Sequence, residues 1–194
     1  MHMTLCDYLL YVPFIDEATV DQEQPFTGAA TTMRYTDGEG VRIMAVVVAG
    51  HTGTATTFTV RYTNQRGDQN RTTGAAKLNI NQFVNGTILT TAPATLGCVG
   101  PFLPLQQGDT GVRSIEGVTV TGTGDVGLFT LVLVRPLADI SLRGIDAPVE
   151  VDYWMDRPTL PRVYDDAFLG FVALPAGNLA TAPIHGDAAF VWSV

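Results

Sequence analysis

The chain is poor in the residues on which chemistry is usually built. Its 194 residues include two cysteines and three histidines, only three serines (Ser114, Ser141, Ser193) and a single lysine, Lys77. Cys6 and Cys98 make no disulfide framework, and both are expected to be buried free thiols acting as small hydrophobes. His2, His51 and His185 stand alone, and no His-x-His occurs. The imidazole cluster of a cupin-type metal centre is therefore not encoded, and no metal or cofactor is expected. No serine lies in Gly-x-Ser-x-Gly, Cys98 in Leu-Gly-Cys-Val-Gly matches no thiol-enzyme motif, and no Asp-x-Asp-x-Asp-Gly calcium loop is present. Carboxylates brought together from distant strands stay open as an arrangement for glycoside hydrolysis. The expectation is a protein that is not an enzyme.

Positive charge is also scarce: 11 basic against 19 acidic residues give a net charge of -8. That disfavours direct nucleic-acid binding. The amino terminus has neither a basic n-region nor a long apolar h-region, so no signal peptide is expected. The longest apolar run, residues 126–134, is too short for a membrane helix, and a soluble protein made in a cytoplasm is the expectation.

What the chain does have is period-two patterning. Phe58, Val60 and Tyr62 alternate with Thr57, Thr59, Arg61 and Thr63, and Ala76, Leu78 and Ile80 alternate with Lys77, Asn79 and Asn81. Residues 41–49 (VRIMAVVVA) and 126–134 (VGLFTLVLV) are apolar on both faces. Such strands lie mid-sandwich or are covered by another subunit, which points to a homo-oligomer. In residues 112–121 the apolar parity changes at Gly117, which predicts a β-bulge in one long strand. The Gly-rich 121–127 that follows reads as a hairpin turn. Further strands are predicted over 8–14, 87–91, 137–142, 149–155, 169–174 and 188–192, and one helical turn after Asp165-Asp166. About ten short strands and almost no 3.6-residue period give the expected class: all-β, one antiparallel β-sandwich domain over 1–194, a jelly roll with little helix.

Charge is unevenly distributed. Residues 1–40 carry seven acids and one arginine, which suggests an extended acidic arm. Residues 136–194 carry eight acids and three arginines. The loop 64–75 (NQRGDQNRTTGA) is basic by contrast. Arg66 and Arg71, flanked by Arg61 and Lys77, are the candidate interface residues for an acidic partner surface, because a guanidinium pairs bidentately with carboxylate. On a strand over 149–155, Trp154 would share the polar face with Glu150, Asp152 and Asp156, and an exposed Trp there marks a candidate interface. Arg66-Gly67-Asp68 matches an adhesion tripeptide, and Asn70-Arg-Thr and Asn85-Gly-Thr match glycosylation sequons; both carry weight only outside a cell.

Residues 103–140, together with Tyr62-Thr-Asn-Gln, Val84-Asn-Gly-Thr-Ile and Asp165-Asp166-Ala-Phe-Leu, resemble the small all-β virion structural proteins of tailed bacteriophages. The likeness lies in a Gly-Asp-x-Gly-Val-Arg-Ser element before a long strand, here 108–114, and an Arg-Pro-Leu-Ala element after it, here 135–138. The resemblance implies a virion localisation and a capsid decoration or minor capsid role. The partners it implies are other virion proteins such as the major capsid protein. Asp109 and Arg113 are read as holding the fold, through an Asx turn and a loop anchor respectively. A carbohydrate- or receptor-binding sandwich of a tail or fibre is the competing expectation.

Overall fold

The computed structural model describes residues 1–32, 34–50, 56–78, 86, 88–89, 100–143, 147–156, 160–174 and 184–191. Strands dominate. They are β1 (His2–Tyr11), β2 (Ile15–Asp16), β3 (Glu23–Thr31), β4 (Arg42–Ala49), β5 (Thr57–Asn64), β6 (Arg71–Thr72), β7 (Ala76–Lys77), β8 (Val112–Thr121), β9 (Leu128–Ser141) and β10 (Leu169–Leu174). The one helix among the described residues is α1 (Tyr153–Asp156), a single turn. One sheet runs β10-β1-β9-β2 with β4 on the other side of β9; the second runs β3-β8-β5-β6 with β7 also on β5. All these pairings are antiparallel.

The two sheets pack face to face. Ile43, Ala45, Val47, Phe129, Leu131 and Leu133 project from one, and Phe58, Val60, Tyr62, Ile115, Val118 and Val120 from the other, into one buried cluster. Phe58 and Phe129 meet at its centre, with ring centroids 4.8 Å apart. The expected antiparallel β-sandwich with little helix is therefore what the chain forms.

The bulge in β8 is where the parity change placed it. Gly117 pairs with Arg61 and Ile115 with Tyr62, so Glu116 is the extra residue. The bulge returns Val118 and Val120 to the core face that Ile115 already occupies. At Gly117 a Cβ would lie 2.5 Å from the Glu23 carboxylate, so a side chain there would have to displace the Glu23 side chain from Arg61.

Five expectations take another form. Residues 121–127 are not a hairpin turn: β8 belongs to one sheet and β9 to the other, and the segment is a corner between them. It packs on the chain after β2 through the Asp125 N–H to Glu17 O bond (3.3 Å) and the Glu17 N–H to Gly127 O bond (3.2 Å). Residues 126–134 and 137–142 fuse into β9, with Pro136 next to a register shift against β1. Residues 149–155 contain no strand but end in α1, while 165–166 form a turn rather than a helix. Residues 188–191 are irregular and exposed. Cys98, His51, Ile80, Asn85, Trp192 and most of 87–91 lie outside the described residues.

The second apolar faces of β4 and β9 are covered in part from within. Met44 and Val134 form a smaller buried cluster with Cys6 and Val172, flanked by Tyr8, Val46, Ile88, Phe102 and Val132. Cys6 is a buried free thiol, and burial, assisted by the Asp139 carboxylate, pushes it up to about 12. Part of that second face is thus buried within the chain itself, with Val46 and Val132 left partly exposed. Nor do residues 1–40 form an extended acidic arm: β1 is an inner strand, and Asp7 and Glu17 are buried.

Candidate interaction surface

The basic loop 64–75 leaves β5 and returns as β6. Asn64 shapes its first turn. Its side-chain oxygen accepts the Arg66 N–H (3.0 Å) and the Asp68 N–H (2.9 Å), and Gly67 donates to its backbone oxygen (3.0 Å). This is the Asx geometry for which asparagine is suited.

The loop's cations pair with carboxylates of the same chain. Asp109, whose side chain is shielded from solvent, draws them in. It accepts Tyr62 Oη at 2.6 Å, Asn64 Nδ2 at 2.8 Å, and Arg71 Nε at 2.9 Å with Nη2 at 3.2 Å; Arg66 Nη2 stands 3.5 Å away. Burial alone would raise its pKa, but the bonds from Arg71, Tyr62 and Asn64 outweigh that and hold the carboxyl at about 2. Tyr62 also accepts the Gln106 N–H at 2.9 Å. Its own hydroxyl is pushed to about 12, by burial first and then by the bond to Asp109.

Arg61 is likewise engaged, with Glu23 Oε1 at 2.6 Å, with Glu116, and with Asn70 Oδ1 at 3.0 Å. Arg66 Nε lies 3.1 Å from Asp68 Oδ2, so the Arg66-Gly67-Asp68 tripeptide closes on itself rather than presenting both charges outward. Of the four cationic candidates, three are tied to carboxylates of the same chain. Lys77 is exposed on β7, at the other end of β5 from the loop. The structure brings Arg66 and Arg71 together around Asp109 and does not bring Lys77 or Trp154 to them.

Asp109 and Arg113 do hold the fold, as the sequence suggested. Asp109 acts through its buried carboxylate rather than through an Asx turn. Arg113 Nε donates to Asp37 O at 3.0 Å, and Arg135 Nη1 donates to Glu39 O. Segments 108–114 and 135–138 therefore both brace one loop, residues 34–40. That loop also carries Arg34, which grips the buried Asp7 with two bonds (2.7 and 3.0 Å) and reaches Asp166 at 3.1 Å. The sequence reading missed this lock. Its signal was Asp7 itself, an acid inside an otherwise apolar strand.

Trp154 sits on α1, not on a strand. Asp152 caps that turn, accepting the N–H groups of Trp154 (2.9 Å) and Met155 (3.3 Å). Trp154 is 67% and Met155 77% exposed. They belong to a wider pattern: Leu160, Phe168, Phe171 and Val191 are exposed too, so large apolar side chains at the surface concentrate in the last third of the chain. Aromatic residues and methionine are the types enriched in protein interfaces. Among the described residues, no group of three His, Cys, Asp or Glu is placed to hold a metal ion, and no helix is long and apolar enough to cross a membrane. Comparison with protein-family models, curated proteins and solved structures finds no match for this chain.

Proposed function

We propose that this chain is a non-enzymatic structural protein of a tailed-bacteriophage particle, a capsid decoration or minor capsid component. On this reading it works as a homo-oligomer docked on other virion proteins such as the major capsid protein. The observation that carries the assembly role is the division of its surface chemistry. The arginines at 34, 61, 66 and 71 pair with carboxylates of the same chain, Arg34 and Arg71 with the shielded Asp7 and Asp109 and Arg61 and Arg66 with acids at the surface, while Trp154, Met155, Leu160 and Phe168 are left exposed. Exposed large apolar side chains, concentrated in the last third of the sequence, support a binding role. The phage assignment rests on the resemblance of 108–114 and 135–138. The fold supports it at the level of architecture alone: two facing antiparallel sheets, with β1-β9-β4 in one and β3-β8-β5 in the other, form an all-β sandwich, a class that includes capsid and lectin domains. The test is imaging of purified particles, with the chain located as discrete density on the shell. Particles that lack the chain by both imaging and mass spectrometry refute the reading.

A receptor- or carbohydrate-binding role has one observation in its favour, the exposed Trp154 beside the capping Asp152. Glycan-array binding that Trp154→Ala abolishes would replace the virion-shell reading with this one.

A further inference from the structure

Sheets are protected at their edges or they pair, and the β10-β1-β9 sheet treats its two edges differently. The Tyr8 N–H to Phe168 O bond (2.8 Å) sets the alternation of the β1–β10 ladder. Gly170, Val172 and Leu174 turn their backbone groups toward β1, and Leu169, Phe171 and Ala173 turn theirs outward. The same alternation on β9 turns Asp139 away from β1. There the Tyr153 hydroxyl takes the Asp139 N–H at 2.6 Å, closing that stretch of edge. On the outer side of β10, no described residue bonds the backbone of Leu169, Phe171 or Ala173. Residues 169–174 (LGFVAL) contain none of the charges or prolines that blunt an edge. Phe171 is half exposed, and Phe168, just before the strand, is 71% exposed.

We infer that the outer edge of β10 pairs with β10 of a second copy, antiparallel across a two-fold axis at Phe171. This deepens the homo-oligomer part of the proposed function and replaces the two-faced strands, which the chain covers in part itself. The register follows from the outward groups: Phe171 opposes its own symmetry mate, and Leu169 opposes Ala173 of the second copy in both directions. Each of these three pairs exchanges two N–H···O bonds, and the sheet continues across the axis. Charge selects this orientation. Asp165 and Asp166 lie just before β10. In a parallel pair the two sets of acids would stand side by side. About the two-fold they are separated by the whole strand, on a chain whose net charge of -8 opposes self-association elsewhere. The uncharged strand is where two copies meet at least electrostatic cost.

The experiment is light scattering and sedimentation of the intact chain over a wide concentration range, with hydrogen exchange of individual amides. The expected result is a dimer in which the Phe171 and Ala173 amides gain protection as concentration rises. Ala173→Pro removes an outward N–H and leaves the donors facing β1 in place; Phe171→Lys sets like charges opposite each other. Each should raise the dimer dissociation constant at least tenfold while leaving thermal unfolding of the monomer near that of the parent. A chain that stays monomeric at all concentrations overturns the inference. So does a dimer that survives both variants, or one protected elsewhere but not at Phe171 and Ala173. None of these outcomes depends on particles, so failure here and failure of the virion reading are separate results.

Discussion

Replacing Asp109 by asparagine keeps the shape of the side chain and removes its charge. The carboxylate accepts from Tyr62, Asn64 and both Nε and Nη2 of Arg71. An amide has one acceptor oxygen, so in either orientation its NH2 faces a donor that had a partner before. Charge-assisted bonds contribute about 1.5–3 kcal/mol each, and breaking one half of a buried pair costs about 3–5 kcal/mol. Arg71 is 22% and Arg66 56% exposed, so both recover some solvation, and the expected loss for Asp109→Asn falls to about 2–4 kcal/mol. At about 2–4 °C per kcal/mol for a chain of this size, the melting temperature should fall by roughly 10 °C. The pH dependence gives an independent check. The folded carboxyl titrates near 2, below the ordinary value of 3.8. Its stabilisation is therefore complete above about pH 4 and is lost as pH falls toward 2. Urea unfolding of both proteins from neutral to acid pH should show the gap at pH 7 closing in acid. A variant within about 0.5 kcal/mol of the parent at pH 7, or a gap that persists unchanged at pH 2, refutes the account of Asp109 as the centre of this network.

Glu17 should act in the opposite sense. Burial, with Asp125 and Asp16 adding to it, raises its carboxyl from 4.5 to about 7; the folded state then holds a proton that the unfolded chain has released. Stability should fall as pH rises from about 4.5 to 7, by up to roughly 3 kcal/mol, and Glu17→Gln should flatten that slope in a series of urea titrations. At Gly111 a Cβ would stand 1.9 Å from Gly38 O; Gly111→Ala should lower stability by at least about 2 kcal/mol, read by calorimetry, because backbone rather than a flexible side chain must move. Phe129→Ala opens a cavity against Phe58 and should cost about 3–5 kcal/mol in chemical denaturation. Trp154→Ala should leave stability within about 0.5 kcal/mol and weaken docking on particles.

How much the sequence reveals depends on whether a signal is local. Strand β8 and its bulge were legible because core parity is a property of adjacent residues, and one glycine marks where it flips. The β10 strand was legible for the same reason, as six apolar residues between turn signals. The 121–127 corner was not, because glycines announce a reversal without saying which sheet receives the next strand. The alternation over 149–155 misled in a related way. Seven alternating residues suit a strand only if a core waits beneath one face, and here Asp152 instead caps one turn of helix. The pairing of the cationic loop was hidden by range: composition counts Arg71, but the acid it pairs with lies some forty residues further on, at Asp109.

The position of β1 bears on how the chain is made. The first strand is also an inner one, and both its neighbours, β9 and β10, come from beyond residue 127. During synthesis β1 leaves the ribosome well before either neighbour and must wait unpaired with them until β9 and β10 have followed. Asp7 shares that wait, because Arg34 emerges early but the Phe168 N–H that completes its bonding (3.0 Å) emerges late. The β3-β8-β5 sheet also closes late, since β8 is its inner strand. A nascent chain stalled before β9 should therefore lack the sandwich altogether. Folding should be slow, on the millisecond-to-second scale of domains dominated by distant pairings, with β1 the segment most in need of shielding in the interval.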